Sequence, residues 1–158
     1  LVAHAVRRGH RTTGDDMLYF RPDNGWLYSA FATVKVAPES PASAFVDSAL
    51  PVVDAKRMGW LPDLATDCMV SRQRPVSIVV PRVGDRVRIE PADEASVLTA
   101  LLPNSVQLAS DKAHSVKVLT DLVRSVPCFA LTVAHDADAE LAALVEVAPW
   151  LAEPVCGS

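Results

Sequence analysis

Two adjacent carboxylates, Asp15 and Asp16, are the residues of this chain best suited to carry out chemistry. They lie between a short extended segment and the apolar run Met17–Phe20, which predicts a strand. At such a junction one carboxylate can hold a Mg²⁺ ion, directly or through water, while the other accepts a proton from a hydroxyl nucleophile. Asp-Asp pairs are also common in turns, helix caps and solvated surfaces, so the pair alone does not define a site.

The size and composition of the chain limit the classes of protein to which it can belong. It has 158 residues, of which 50% are hydrophobic and 22% are charged, so we expect one globular domain with a substantial core and not a disordered chain. The formal net charge is −4, without the basic excess of domains that bind nucleic acids or anionic membranes. No apolar run approaches the roughly 18 residues of a membrane span. We therefore expect neither a nucleic-acid partner nor a membrane partner.

The cysteines and histidines do not predict a metal site. Cys68, Cys128 and Cys156 are odd in number and include no C-x-x-C pair, so a disulfide framework is not expected and a reducing, cytoplasmic location fits best. Each cysteine is interpreted as a small core residue. The four histidines are scattered along the chain, and no Cys/His cluster predicts zinc.

The start of the chain lies inside a helical pattern. Leu1, Val2, Ala5 and Val6 recur at helical spacing, no N-cap residue precedes them, and Gly9 follows as a C-cap. The first residue is not methionine, and the features of a signal peptide are absent. These features predict a cut through a helix and an additional segment upstream.

Strands and helices alternate along the remaining sequence. The predicted strands are Met17–Phe20, Trp26–Tyr28 after the Pro22–Gly25 turn, Ala30–Val36, Val76–Val80 between two prolines, Val87–Ile89 and Phe129–Val133. The predicted helices cover residues 38–50, 91–102, 111–126 and 136–147, and residues 51–74 are expected to be irregular. Because hairpins occur among the alternating elements, we expect an α/β fold with a mixed sheet and flanking helices.

Four segments, taken in order, carry a family resemblance. Arg7–Asp16 resembles the stretch after the Walker A loop of HPr kinase/phosphorylases and, more closely, of HPr-serine-kinase-like proteins, whose core is shared by phosphoenolpyruvate carboxykinases. Val34–Ser40 resembles their Leu-Lys-Leu-Trp-Pro-Glu-Ser segment, and Ala55–Arg57 their Gly-Lys-Arg stretch. Leu122–Leu131 is similar to their closing helix, Val-Pro and strand. The resemblance implies a single, N-terminally incomplete kinase-like domain over residues 1–158, with a P-loop fold.

The resemblance also implies roles for individual residues. Asp15 matches the catalytic base that takes the proton of the acceptor hydroxyl, and Asp16 matches the Mg²⁺ carboxylate, although the two roles are interchangeable at this stage. Lys35, Lys56 and Arg57 would contact phosphate or substrate, with solvated surface cations as the alternative. His10 follows a helix end in a family-typical Gly-His pair and is interpreted as structural.

The main departure from the family pattern is the phosphate-binding loop. No G-x-x-x-x-G-K-[ST] motif occurs, and the family places that loop just before the helix that contains Leu1. One interpretation is a piece of a kinase that uses ATP and Mg²⁺ to phosphorylate a serine of a carrier protein or a small-molecule hydroxyl. The other is a non-catalytic binding or regulatory module that has lost the loop. Since the family includes hexamers, a homo-oligomer is a further expectation.

Overall fold

The computed structural model shows a mixed α/β protein. It describes residues 1–15, 17–39, 43, 52–53, 55–64, 66–106 and 111–149. Within these ranges the chain forms five α-helices and three sheets of three strands each. The predicted α/β class is therefore confirmed, whereas the described strands are distributed over three small sheets instead of one mixed sheet.

The chain divides into two compact units. The first comprises Leu1–Arg74 with Pro149–Ser158, and the second comprises Pro75–Ala148. The expectation of a single partial kinase-like domain stays a prediction.

The first unit contains two antiparallel sheets. Its helices and strands are α1 (Val2–Arg7), β1 (Leu18–Arg21), β2 (Trp26–Ser29), β3 (Thr33–Val36), β4 (Val52–Val53), β5 (Lys56–Trp60), α2 (Leu61–Leu64), a 3₁₀ turn (Thr66–Cys68) and β6 (Arg72–Gln73). The sheets have the strand orders β1-β2-β6 and β3-β5-β4. Alternate residues of β3, Val34 and Val36, pack with Ala3 and Val6 of α1 and with Leu61 in the buried core of this unit.

Helix α1 ends as the sequence predicts. Gly9 has a φ of 83°, a left-handed conformation in which a residue without Cβ is favoured. The N–H of Gly9 donates to Val6 O, and the N–H of His10 donates to Ala5 O, at 2.9 and 3.0 Å. This pair of bonds is a Schellman motif, and it turns the chain from α1 toward the segment that carries Asp15.

The second unit contains a mixed sheet. Its helices and strands are β7 (Ile78–Val83), β8 (Arg88–Pro91), α3 (Glu94–Val106), α4 (Lys112–Ser125), β9 (Cys128–Val133) and α5 (Ala137–Val147). Central β9 runs parallel to β7 and antiparallel to β8. Val80 packs with Val97 of α3 and Val123 of α4, so these two helices cover one face of the sheet. Helix α5 contacts β8 and β9.

Three predicted boundaries are wrong. Residues 51–74 are not irregular, since they contain β4, β5, α2 and β6. Strand β7 continues through Pro81 because, among the described strands, it lies at a sheet edge and pairs with β9 alone, so a missing N–H is tolerated. Pro91 ends β8 and does not open α3, whose first turn is capped by the Asp93 carboxylate through the N–H of Ser96 at 2.9 Å. The predicted helix over residues 38–50 lies almost entirely outside the described residues.

The cysteines differ from expectation in one respect. Cys68 is fully buried, as expected for a small core residue, but it is disulfide-bonded, so the expectation of reduced cysteines is wrong at this position. Cys128 is a half-buried free thiol. Among the described residues, no helix is long and apolar enough to cross a membrane.

Candidate functional site

Asp15 lies in a loop that local hydrogen bonds hold in place. The Thr12 hydroxyl donates to Gly14 O at 2.9 Å and accepts from Gly14 N at 3.1 Å. The backbone of Thr12 is itself bonded to the end of the 3₁₀ turn and to the segment that follows it, donating to Cys68 O at 2.8 Å and accepting from Val70 N at 2.9 Å. Hydrogen bonds of both the Thr12 side chain and the Thr12 backbone therefore hold the loop immediately before Asp15.

A close backbone approach explains the glycine before Asp15. Gly14 has a φ of +155°, and a Cβ built on it would lie 3.1 Å from Phe31 O. That contact is shorter than an ordinary van der Waals contact, so any larger residue would displace the loop. The position of Asp15 thus depends on the absence of a side chain at residue 14.

Asp15 reaches the outer edge of β3. Its Oδ2 accepts a hydrogen bond from the backbone N–H of Lys35 at 3.4 Å, the long end of the range for such bonds. Among the described strands, β3 lies at the edge of its sheet and pairs with β5. The carboxylate therefore takes a place where the next strand of the sheet would otherwise pair.

Asp15, Lys35 and Lys56 line one open cleft of about 220 Å³. Its other lining residues come from the start of α1 and from β3: Leu1, Val2, Ala3, Val34, Val36 and Ala37. Three of the five residues singled out from the sequence are thus brought together, although they come from three separate segments of the chain. The cleft combines one carboxylate with two ammonium groups, a set that suits an anionic ligand bearing a hydroxyl group.

The strand register separates the two neighbouring cations Lys56 and Arg57. Lys35 pairs with Met58 and Val36 pairs with Arg57 across β3 and β5. Cross-strand partners share a face and successive residues alternate, so Lys35 and Lys56 lie on one face and Arg57 on the other, with Val36. Arg57 does not line the cleft.

The predicted magnesium carboxylate, Asp16, lies outside the described residues. Within the part of the chain that the structure describes, no group of three His, Cys, Asp or Glu side chains is placed to hold a metal ion. The Mg²⁺ role of Asp16 and the general-base role of Asp15 both stay predictions.

His10 is buried directly after the α1 C-cap, with 9% of its surface exposed. Burial lowers the pKa of His10, and the nearby His4 lowers it further. A buried, neutral imidazole beside a helix end favours the structural interpretation of this residue over that of a solvent-exposed base.

Sequence reasoning missed two features that position the cleft. The first is the Thr12 hydroxyl, which gave no signal because threonine is common in loops. The second is the β4–β5 hairpin that presents Lys56, in which Ala55 adopts a φ of 61°. Alanine rarely occupies this left-handed region, and hairpin recognition relies on Asn-Gly or Asp-Gly.

Comparison of the chain with protein-family models, with curated proteins and with solved structures finds no match.

Proposed function

We propose that this chain is part of an ATP-dependent phosphotransferase resembling HPr serine kinase, which transfers a phosphoryl group to a hydroxyl of a carrier protein or a small molecule. The observation that carries the proposal is the convergence of Asp15, Lys35 and Lys56 on one cleft beside the start of α1. A phosphotransferase needs a carboxylate for the acceptor hydroxyl and cations for phosphate oxygens close together. The cleft provides both.

Each residue has a distinct role in this proposal. Asp15 accepts the proton of the acceptor hydroxyl and orients its oxygen. Lys35 and Lys56 hold phosphate oxygens from one face of the β3–β5 pair, and Arg57, on the opposite face, becomes the least favoured of the predicted contacts. Asp16 is proposed to bind Mg²⁺ next to Asp15. When bound, ATP supplies the γ-phosphoryl group, and Mg²⁺ offsets its charge.

The cleft by itself is small for binding a whole nucleotide. Pockets that hold a small molecule or a cofactor usually enclose about 300–1,000 Å³. The cleft measures about 220 Å³, which is enough for a phosphoryl group and an acceptor hydroxyl but small for a whole nucleotide. The proposal therefore requires the nucleotide-binding loop of the family, which the resemblance expects before Leu1.

A non-catalytic module is the second candidate, and one contact favours it. Because Asp15 already accepts a hydrogen bond from Lys35 N, the carboxylate has a structural task in joining its loop to β3. In a module that has lost the phosphate-binding loop, that task would be sufficient to retain Asp15. The two candidates differ in whether Asp15 affects transfer more than it affects folding.

The decisive experiment begins with the coding sequence directly upstream of Leu1. An in-frame loop ending in Gly-Lys-Ser or Gly-Lys-Thr supports the kinase, and the longer protein is then assayed for phosphoryl transfer from γ-labelled ATP. Asp15→Asn should lower transfer by roughly 10²- to 10⁴-fold, the usual contribution of a general base. Because the bond to Lys35 N is long, the same change should lower the free energy of unfolding by only about 0.5 kcal/mol, the low end for a hydrogen bond.

Asp121→Asn is the matched control. Asp121 pairs with Lys117 at 2.9 Å on the exposed surface of α4, in the other unit, so its loss should leave transfer unchanged. Full transfer in Asp15→Asn would remove the base role. Absence of an upstream loop, together with no transfer, would favour the module.

Location and assembly belong to the same proposal. We retain a cytoplasmic location from the family resemblance, and it requires the disulfide at Cys68 to be one that persists in a compartment where most thiols are reduced. A homo-oligomer is retained from the family resemblance, and the molar mass in solution tests it.

A further inference from the structure

One face of the β1-β2-β6 sheet gathers aromatic rings and guanidinium groups. Tyr19 pairs with Tyr28, Arg21 pairs with Trp26, and Tyr28 also pairs with Arg72. Cross-strand partners share a face, and Arg74 joins them two residues after Arg72. We call this set the aromatic–arginine face: Tyr19, Arg21, Trp26, Tyr28, Arg72 and Arg74.

Two arginines of this face are held by one aromatic ring. The guanidinium carbons of Arg72 and Arg74 lie 4.8 and 5.1 Å from the centroid of the Trp26 ring, within cation–π distance. Among the described residues, neither arginine forms an ion pair with a carboxylate. Their charges are thus placed side by side with their N–H donors available to an anionic ligand.

The remaining aromatic groups are positioned beside these arginines. Tyr19 is 65% exposed, so its ring is accessible to a ligand. The Tyr28 hydroxyl accepts a hydrogen bond from Asn24 Nδ2 at 3.2 Å, which fixes its ring. Arg21 is already engaged by Asp23 at 2.6 Å, so we assign the ligand charge to Arg72 and Arg74.

We infer that the aromatic–arginine face binds single-stranded nucleic acid. Exposed rings on a small antiparallel sheet stack unpaired bases, and guanidinium groups contact phosphates or stack on bases. Tyr19 is the exposed ring of this face, Tyr28 lies opposite it on β2, and Trp26 is covered by the two guanidinium groups. An unpaired base can therefore stack on Tyr19 while Arg72 and Arg74 contact the neighbouring phosphates.

The acidity of the whole chain does not oppose this inference. The net charge of −4 led us to expect no nucleic-acid partner, but charges act over about 10 Å at moderate salt. Three of the six residues that define this face are arginines, and one of them, Arg21, pairs with Asp23 in the adjoining turn. An acidic peptide would pair with the arginines but has no base to stack on the exposed Tyr19 ring, so nucleic acid is the favoured ligand.

The test is a titration of the full chain into a fluorescently labelled oligonucleotide of about 12 nucleotides, as single-stranded oligo(U) or oligo(dT), followed by anisotropy. Binding should weaken with salt between about 50 and 200 mM, with a slope of about −0.7 for each phosphate neutralised. Replacing both Arg72 and Arg74 by alanine should therefore reduce the slope by about 1.4 and weaken binding. Tyr19→Ala should weaken binding roughly 5- to 140-fold, while Tyr19→Phe, which keeps the ring, should bind as the wild type does.

The matched control removes two arginines from elsewhere. Arg82 and Arg88 are exposed on β7 and β8 of the second unit, and their joint replacement by alanine should leave affinity and slope unchanged. If the Arg72 and Arg74 double variant does not fold, the Tyr19 pair still decides the question. No binding at low salt, equal loss in the control, or equal affinity for polyglutamate would overturn the inference, the last by showing an acidic protein partner instead.

Discussion

Replacing Gly14 by alanine tests whether the loop before Asp15 is as tightly packed as the structure shows. The added Cβ would lie 3.1 Å from Phe31 O, where ordinary contacts begin at 3.4 Å. The neighbouring atom is backbone, which cannot rotate away as a side chain would. Forcing extra atoms into such a packed place usually costs about 1–3 kcal/mol.

Gly25→Ala is a control for adding a methyl group at a glycine of positive φ that has open space around it. Gly25 also has a positive φ, +72°, but a Cβ there would meet nothing within 4 Å. Both changes have the same entropic effect on the unfolded chain, but an L residue tolerates the φ of Gly25 better than that of Gly14. Gly14→Ala therefore combines the larger backbone penalty with the contact to Phe31, and we expect it to be more destabilising than Gly25→Ala by at least about 1–3 kcal/mol.

Urea unfolding followed by tryptophan fluorescence measures this difference. Trp26 and Trp60 belong to the unit that contains Gly14 and Gly25, and residues 75–148 contain no tryptophan, so the signal follows the first unit. The free energy of unfolding of each variant is taken from its midpoint and slope. Equal losses in the two variants would refute the close approach to Phe31, and with it the reason given for the placement of Asp15.

Two further predictions concern titration and thiol chemistry. Burial lowers the pKa of His10 in the folded state, so the unfolded chain takes up the proton first as the pH falls below about 6.5. The contribution of His10 to the free energy of unfolding should therefore be constant above that pH and decline below it. The decline should end once the pH has fallen below the lowered pKa of the folded state. Urea unfolding at about pH 7.5 and about pH 5.5 should show a smaller decline in His10→Gln than in the wild type, and equal declines would contradict the prediction. Burial also raises the pKa of the Cys128 thiol, and Glu94 adds to the effect, so a thiol reagent should label Cys128 slowly in the native protein. Cys68 should stay unlabelled in denatured protein until a reductant is added, and peptide mapping locates the label. Labelling of Cys68 before reduction would show that the disulfide is absent.

Local signals account for the elements that the sequence predicted well. Helices α4 and α5 begin after Asp111 and Asp136, whose carboxylates accept from His114 N and Ala139 N, each at 3.0 Å. Pro127 separates α4 from β9, and Asn24-Gly25 marks the first hairpin, in which Asn24 Oδ1 accepts from Trp26 N. In each case the determining contact lies within four residues, which is why sequence pattern sufficed.

Elements that depend on partners distant in sequence were not predictable in the same way. Strand β5 follows Ala55, which has a left-handed backbone conformation, and it pairs with β3 on one side and β4 on the other, so no local sequence pattern predicted it. Pro81 lies within β7 only because that strand is at an edge, a fact of topology and not of composition. Cys68 is buried among residues of α1, β3 and α2, and cysteine counting does not reveal which thiols meet.

The alternation of side chains along strands decides which cations of this protein can act together. Lys56 and Arg57 look like one basic pair in the sequence, but neighbours on β5 point to opposite faces, so they do not share one binding face. Arg72 and Arg74 are one residue further apart, and both guanidinium groups reach the same tryptophan ring. A spacing of two along a strand therefore builds a joint binding surface where a spacing of one divides it, and this rule separates the phosphate contacts we assign to the cleft from those we assign to the aromatic–arginine face.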